Sequence, residues 1–459
     1  MSALPHAPEP EPEQDRLLPP GFDSGDVTAL VADAVLVRRS WRLWWIALAV
    51  TLPFVVATAV GIVVVLGVGV GTWGINSDIV WGVAIADYVW WIGIGNAGTL
   101  ISSLLAVTRQ DWRASINRFA EAMTLFAVSI AGIFPIIHLG RPEYFYWLAP
   151  YRNTMTLWPQ WRSALVWDFW AILSYLLFSL LFWYLGLIPD AATLRDRATT
   201  RGKRLFFGIL ALGWRGSVRH WRVQNTLHMT MAALAVPLVC SVHSIVGLDF
   251  AASLMPGWQE TIFPPYFVVG AMYSGFAMVV ILAICIRWGL GLQDVITFKH
   301  FDSMALIILT CALVMTLSYA TEWMMAWVGG DHAERSLVAH EFAGVYGPLY
   351  WVLILCNCVA PQLLWWPAMR QNLLVLAVVA VGINIGMALE RILIIWNTLG
   401  HNFLPSSNHP FELSVIDWTF IIGPLGLFAF LFLLFARLFP VVSMYEVREV
   451  AHKAKQAVV

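Results

Sequence analysis

Residues 43–70, LWWIALAVTLPFVVATAVGIVVVLGVGV, carry no charged side chain. An α-helix needs about 20 mostly apolar residues to cross the roughly 30 Å hydrocarbon core of a bilayer, and this run exceeds that. Comparable segments follow from near Ala84, Glu121, Leu165, His228, Pro265, Ser303, Gly344, Leu373 and Val415. The sequence therefore predicts an all-α integral membrane protein of about ten transmembrane helices. Composition agrees: 59% of the 459 residues are hydrophobic and only 12% charged, against roughly 25% charged in soluble domains. Net charge is −1 and the basic residues are scattered, so no basic face for nucleic acid is present.

Tyr88 followed by Gly93, Gly95 and Gly98 in the second helix is echoed by Tyr266 followed by Gly270 and Gly275 in the sixth. Small residues let helices approach closely, and the echo predicts two four-helix bundles, residues 84–250 and 264–398. Helices at 41–72 and 414–437 flank them. Residues 1–40 are rich in Pro and Glu and lack the basic start and early apolar core of a signal peptide; they are expected to be a disordered cytoplasmic tail, with a second tail at 438–459.

With the N-terminus inside, counting Lys and Arg loop by loop places 22 on the cytoplasmic side and 4 outside, leaving Arg391 within a helix. The positive-inside rule then puts both termini in the cytoplasm. The largest basic loop, 190–227, contains Arg195, Arg197, Arg201, Lys203, Arg204, Arg215, Arg219 and Arg222, and an interfacial helix fits there. Trp41, Trp44, Trp45, Trp90, Trp91, Tyr144, Tyr146, Trp147, Trp158 and Trp161 crowd segment ends, mostly as an ordinary interfacial belt.

An ionisable residue within the bilayer is costly enough to suggest function. Asp87, His138, Arg141, Asp168, His243, Asp249, Glu322, Glu390, Arg391 and Asp417 all fall in the outer part of the predicted helices. Asp87, Asp249 and Asp417 are equally well read as wetted caps, and Glu390 with Arg391 as a structural ion pair. His138 and Asp168 lie on consecutive helices joined by an outer loop, so they are expected to converge as an acid/base pair, the carboxylate orienting the imidazole. The plain alternative is a satisfied histidine at a helix end. Glu121, His228, Asp294 and Asp302 in the inner halves offer a route for protons, but between Glu121 and His138 the third helix supplies only Thr124 and Ser129.

Cys240, Cys285, Cys311, Cys356 and Cys358 are all within apolar segments and form no CxxC, so they read as small buried residues. No thiolate set for zinc or an iron-sulfur cluster is expected. His228 and His243 share one helix without facing partners on the second or fourth, which argues against a b-type haem. Any metal redox centre is expected in a partner.

The stretch IIHLGRPEYFYWL (136–148), the helix opening SALVWDFWAILSYL (163–176) and SVHSIVGLDFA (241–251) resemble the polysulfide reductase membrane-subunit family, also called NrfD-like or PsrC-like. Ten helices and a long N-terminal tail look most like its ActC branch, the quinol-binding subunit of bacterial alternative complex III. The resemblance implies a multi-pass subunit of the bacterial inner membrane that binds menaquinol or ubiquinol and holds no haem or iron-sulfur cluster itself. His138, Arg141, Asp168, Asp249 and Arg391 would bind the quinol, with His138 and Asp168 catalytic; Asp87, His243, Glu322 and Glu390 would carry protons. The implied partners are a periplasmic iron-sulfur subunit, a multihaem cytochrome c and a second homologous membrane subunit. A proton conduit and a structural membrane anchor are the alternatives.

Overall fold

The computed structural model describes residues 16–37, 41–149 and 161–458. Its helices are α1 (Ser24–Leu36), α2 (Trp41–Val68), α3 (Val83–Val107), α4 (Asn117–Ala131), α5 (Ile133–Ile137), α6 (Ala164–Arg197), α7 (Arg201–Leu210) and α8 (Val218–Ala251). They continue with α9 (Phe263–Gly289), α10 (Phe298–Val328), α11 (His332–Ala343), α12 (Gly347–Ile354), α13 (Pro367–Arg370), α14 (Leu373–Gly400), α15 (Val415–Leu438) and α16 (Met444–Val458). Among the described residues there is no strand. Ten segments are long and apolar enough to span a membrane: α2, α3, α4 with α5, α6, α8, α9, α10, the stretch Gly347–Trp365 that begins with α12, α14 and α15. The ten helices expected from the sequence are present.

Two local sequence features shape the functional regions. Pro135 has no N–H for the carbonyl of Ala131 and its ring crowds that carbonyl, so the third span breaks at Gly132 and α5 ends with His138 as its C-cap. Leu355–Val359 winds as a π-helix. The peptide carbonyl of Asn357 in that turn accepts a 2.9 Å hydrogen bond from the Tyr273 hydroxyl, the kind of local rearrangement found at functional sites.

Helix α3 is the hub, packing on α4, α8, α9 and α14; α9 in turn packs on α8, α10 and α14. Two glycines permit this. A Cβ on Gly98 would overlap the Ala120 carbonyl of α4, and one on Gly275 of α9 would overlap the Ala97 methyl of α3. Helix α2 pairs with α15, and α15 carries the pair onto α3 and α4.

The expectation of disorder through residue 40 is corrected between Ser24 and Leu36. There the Asp23 and Asp26 side chains form a capping box and start a helix, whose Val27, Val31 and Val35 are buried. Residues 1–15 and 38–40 lie outside the described residues. The C-terminal tail is likewise helical: Met444 and Val447 of α16 are buried, and α16 packs against α1.

Candidate functional site

The end of the bundle that carries His138 gathers most of the outer ionisable residues. Nε2 of His138 donates to the Val80 carbonyl at 3.3 Å, and the ring stacks on Trp73 at 5.9 Å. A carbonyl can only accept, so this bond fixes the proton on Nε2 and leaves Nδ1 of the neutral ring as a free base. Burial lowers the His138 pKa, and the bond to Val80 offsets part of that. The Trp73 indole also lines a cavity of about 360 Å³ together with Asn76, His409 and Glu412.

The expected contact between His138 and Asp168 is not formed. The carboxyl of Asp168 on α6 lies instead beside Asp249 on α8 and the Tyr88 hydroxyl on α3. The reason is geometric: the break at Gly132 turns the end of the third span toward the loop before α3, where Val80 and Trp73 hold the imidazole. Tyr88 and Asp168 are buried; Asp168 lies within hydrogen-bonding reach of Tyr88 and Asp249, and beyond one another the Tyr88 hydroxyl and Oδ1 of both acids have no partner among the described residues. Buried polar atoms are normally satisfied, so three such oxygens in one neighbourhood mark a place for a polar ligand or water. Phe250, the residue after Asp249, meets Trp81 and Trp258 edge-on, and those two indoles stack on each other. On the neighbouring position of α3, Asp87 faces Asp417 of α15, whose Oδ2 accepts from Gly74 N and Ser414 N, both at 2.8 Å. Arg141 is exposed, and Trp158 lies outside the described residues.

A second buried group occupies α9, α10 and α14. Arg391 pairs with Glu390 at 2.8 Å and sits 3.9 Å above the Phe267 ring, apart from the Asp168 group. Glu390 accepts from the Tyr319 hydroxyl, which accepts in turn from Asn357 at 3.0 Å. Glu322 lies within electrostatic reach of Glu341, Glu260 and Glu390. Glu341, in α11 outside the spans, is pushed up to about 7 by burial, with the nearby Asn397 side chain opposing. His243 hydrogen-bonds Asn96 of α3 through Nδ1 and lies within electrostatic reach of Arg391.

From Asn96 a polar thread continues toward the opposite end. Thr99 donates to Ser179 at 3.0 Å, Thr124 to the Gly95 carbonyl at 2.6 Å, and Tyr175 to the same carbonyl at 2.9 Å. Ser102 donates to Glu121 at 2.5 Å, and Arg118 lies 3.8 Å from Glu121 and 3.3 Å from Asp190. Asp190 accepts the Met444 and Tyr445 amides that open α16. Glu446 of α16 is bonded by Asn117 at 2.5 Å and paired with Arg113 at 3.1 Å. Outside the spans, burial works to raise the Glu446 pKa, but the Arg113 charge prevails and holds it below the usual carboxylate range. A cavity of about 330 Å³ opens there, lined by Arg109, Arg113, His228, Tyr445, Glu446 and Lys453 among others. Of the other inner acids, Asp302 is paired with Arg370 at 2.7 Å.

The sequence reading missed Trp73, Asn96, Tyr319, Asn357, Asp190 and Glu446 as parts of these groups. Asn96, Thr99, Ser102 and Ser103 recur at helical spacing on α3, a polar stripe that was available as a signal. Glu446 carried none, because it lies in an ordinary charged tail.

A family model described as polysulphide reductase, NrfD, matches residues 71–402. The provisionally named membrane subunit of a dimethyl sulfoxide reductase from Halobacterium salinarum is 25% identical over 313 residues, covering 66% of this chain and 64% of that relative. The chain thus spans somewhat less than two thirds of that relative's length. A selenate reductase subunit from Mesobacillus selenatarsenatis is 22% identical over 381 residues, covering 79% of this chain and 86% of that relative.

Proposed function

Since the chain belongs to the polysulphide reductase NrfD family, we propose that it is the quinol-oxidising membrane subunit of a multisubunit electron-transfer complex. The observation that carries this reading is the Tyr88–Asp168–Asp249 group, whose oxygens meet one another but no partner outside the group among the described residues, at the same end of the bundle as the free Nδ1 of His138. A quinol that becomes a quinone releases two electrons and two protons. A hydroxyl placed against Asp168 and Asp249 loses its proton to a carboxylate, and the bare Nδ1 of His138 accepts the other. The Phe250, Trp81 and Trp258 rings at the end of α8 supply aromatic surface suited to a quinone ring. The electrons pass to an iron-sulfur subunit docked at the His138 end, which the positive-inside count assigns to the periplasm. A second homologous membrane subunit and a multihaem cytochrome c complete an assembly of the alternative complex III type, with menaquinol or ubiquinol as substrate.

The test is quinol:acceptor turnover in the intact complex with Asp168→Asn, Asp249→Asn and His138→Ala, after assembly has been verified. A loss of roughly a hundredfold or more in the Asp168 variant supports the reading, because positioned acid/base groups contribute about 10²–10⁴. Wild-type turnover in all three leaves the subunit as an anchor.

A second reading, proton conduction, is favoured by the row of polar side chains Asn96, Thr99 and Ser102 at helical spacing on α3, the last of which donates to Glu121. Vesicles in which quinol turnover drives more proton movement than the chemistry releases, and in which Glu121→Gln abolishes the excess while sparing turnover, support it.

A further inference from the structure

Helix α7 is absorbed by neither reading. It folds back along the last turns of α6, where Tyr184 donates its hydroxyl to the Leu210 carbonyl at 3.0 Å and Arg195 reaches the Trp214 carbonyl at 3.1 Å. Phe207 is buried against the bundle. Leu205 and Ile209, on one face of α7 by their spacing of four, are each 65% exposed, and Leu212, in the turn just after the helix, is 67% exposed. In water such a stripe would be a liability, but it adjoins α6, whose Leu177, Leu180 and Leu181 are exposed as lipid-facing side chains. Such a surface suits acyl chains.

The charges around the stripe have one sign. Arg201 and Arg204 precede it, Arg215, Arg219 and Arg222 follow it, and all five are exposed. The two acids nearby are already engaged: Asp196 pairs with Arg195 at 2.8 Å, and Asp190 is buried against Arg118. Among the described residues none of the five arginines has an ion-pair partner. An apolar stripe edged by uncompensated guanidinium groups at the membrane boundary matches a phospholipid with a net negative headgroup, its tails on the leucines and its phosphodiester on the arginines.

We propose that α7 and its flanking arginines form a binding surface for anionic phospholipid. The experiment is native mass spectrometry of the full-length protein offered equal amounts of phosphatidylglycerol and phosphatidylcholine with matched acyl chains. Wild type should retain the anionic lipid at least fivefold over the zwitterionic one, since each cation near an anionic surface is worth roughly a fivefold change. The variant R201Q/R204Q/R215Q/R219Q should fall to parity, whereas L205S/I209S should lose both lipids. As a second measurement on unmodified protein, the preference should fade in high salt. Parity in wild type, a preference untouched by the arginine changes or by 1 M NaCl, or displacement by millimolar inorganic phosphate would each overturn the proposal.

Discussion

His138 and Glu341 make predictions that single side chains can answer. With its proton fixed on Nε2 and its pKa lowered by burial, the imidazole should remain a working base below the ordinary histidine range of about 6.5. The acid limb of the turnover profile should therefore fall with a midpoint below 6.5, and a midpoint above it would assign the limb to another group. Glu341 has the opposite sense. Its folded pKa of about 7 lies above the ordinary 4.5, so the folded state binds more protons between those values and stability declines as pH rises from about 4.5 to about 7. Glu341→Gln removes that decline. Melting curves at pH 5 and pH 8 should differ less in the variant than in wild type.

Among the helices, tight contacts and buried charges decide what substitution does. Gly275→Val forces a branched side chain into the Ala97 methyl, and overpacking of this kind costs about 1–3 kcal/mol; a lowered melting temperature with unchanged helical content is expected. Glu446→Ala leaves the partly buried Arg113 and the buried Asn117 without their acceptor. Breaking a buried pair costs about 3–5 kcal/mol, so α16 should become protease-sensitive first, and a wild-type digestion pattern would refute that. The spans were legible in the sequence because lipid demands length and apolarity, which a chain cannot conceal. Helix α1 was not, since it is short, lies beside a proline-rich stretch and gains its stability from packing on α16. The site was half legible: depth found Asp168, Asp249 and His138, but which of them meet depended on the break at Gly132, and a proline in an apolar run does not announce which way the chain will turn.

For the molecule as a whole, sidedness is the open prediction. The 22 to 4 division of Lys and Arg predicts that a single cysteine placed in the α6–α8 connection of an otherwise cysteine-free chain reacts with an impermeant reagent in inverted vesicles and not in intact cells. The reverse pattern would move the Tyr88–Asp168–Asp249 group to the cytoplasmic side and with it the docking face of any electron acceptor. The pairing of α2 with α15 and of α1 with α16 has a consequence in time. Helix α2 leaves the ribosome well before its partner α15, so it must wait while everything up to Val415 is made, roughly 20–70 s at ordinary synthesis rates. During that wait its future contact face is open to any other hydrophobic helix in the membrane, and a nascent chain stalled before α15 leaves that face uncovered for quality-control proteases to find.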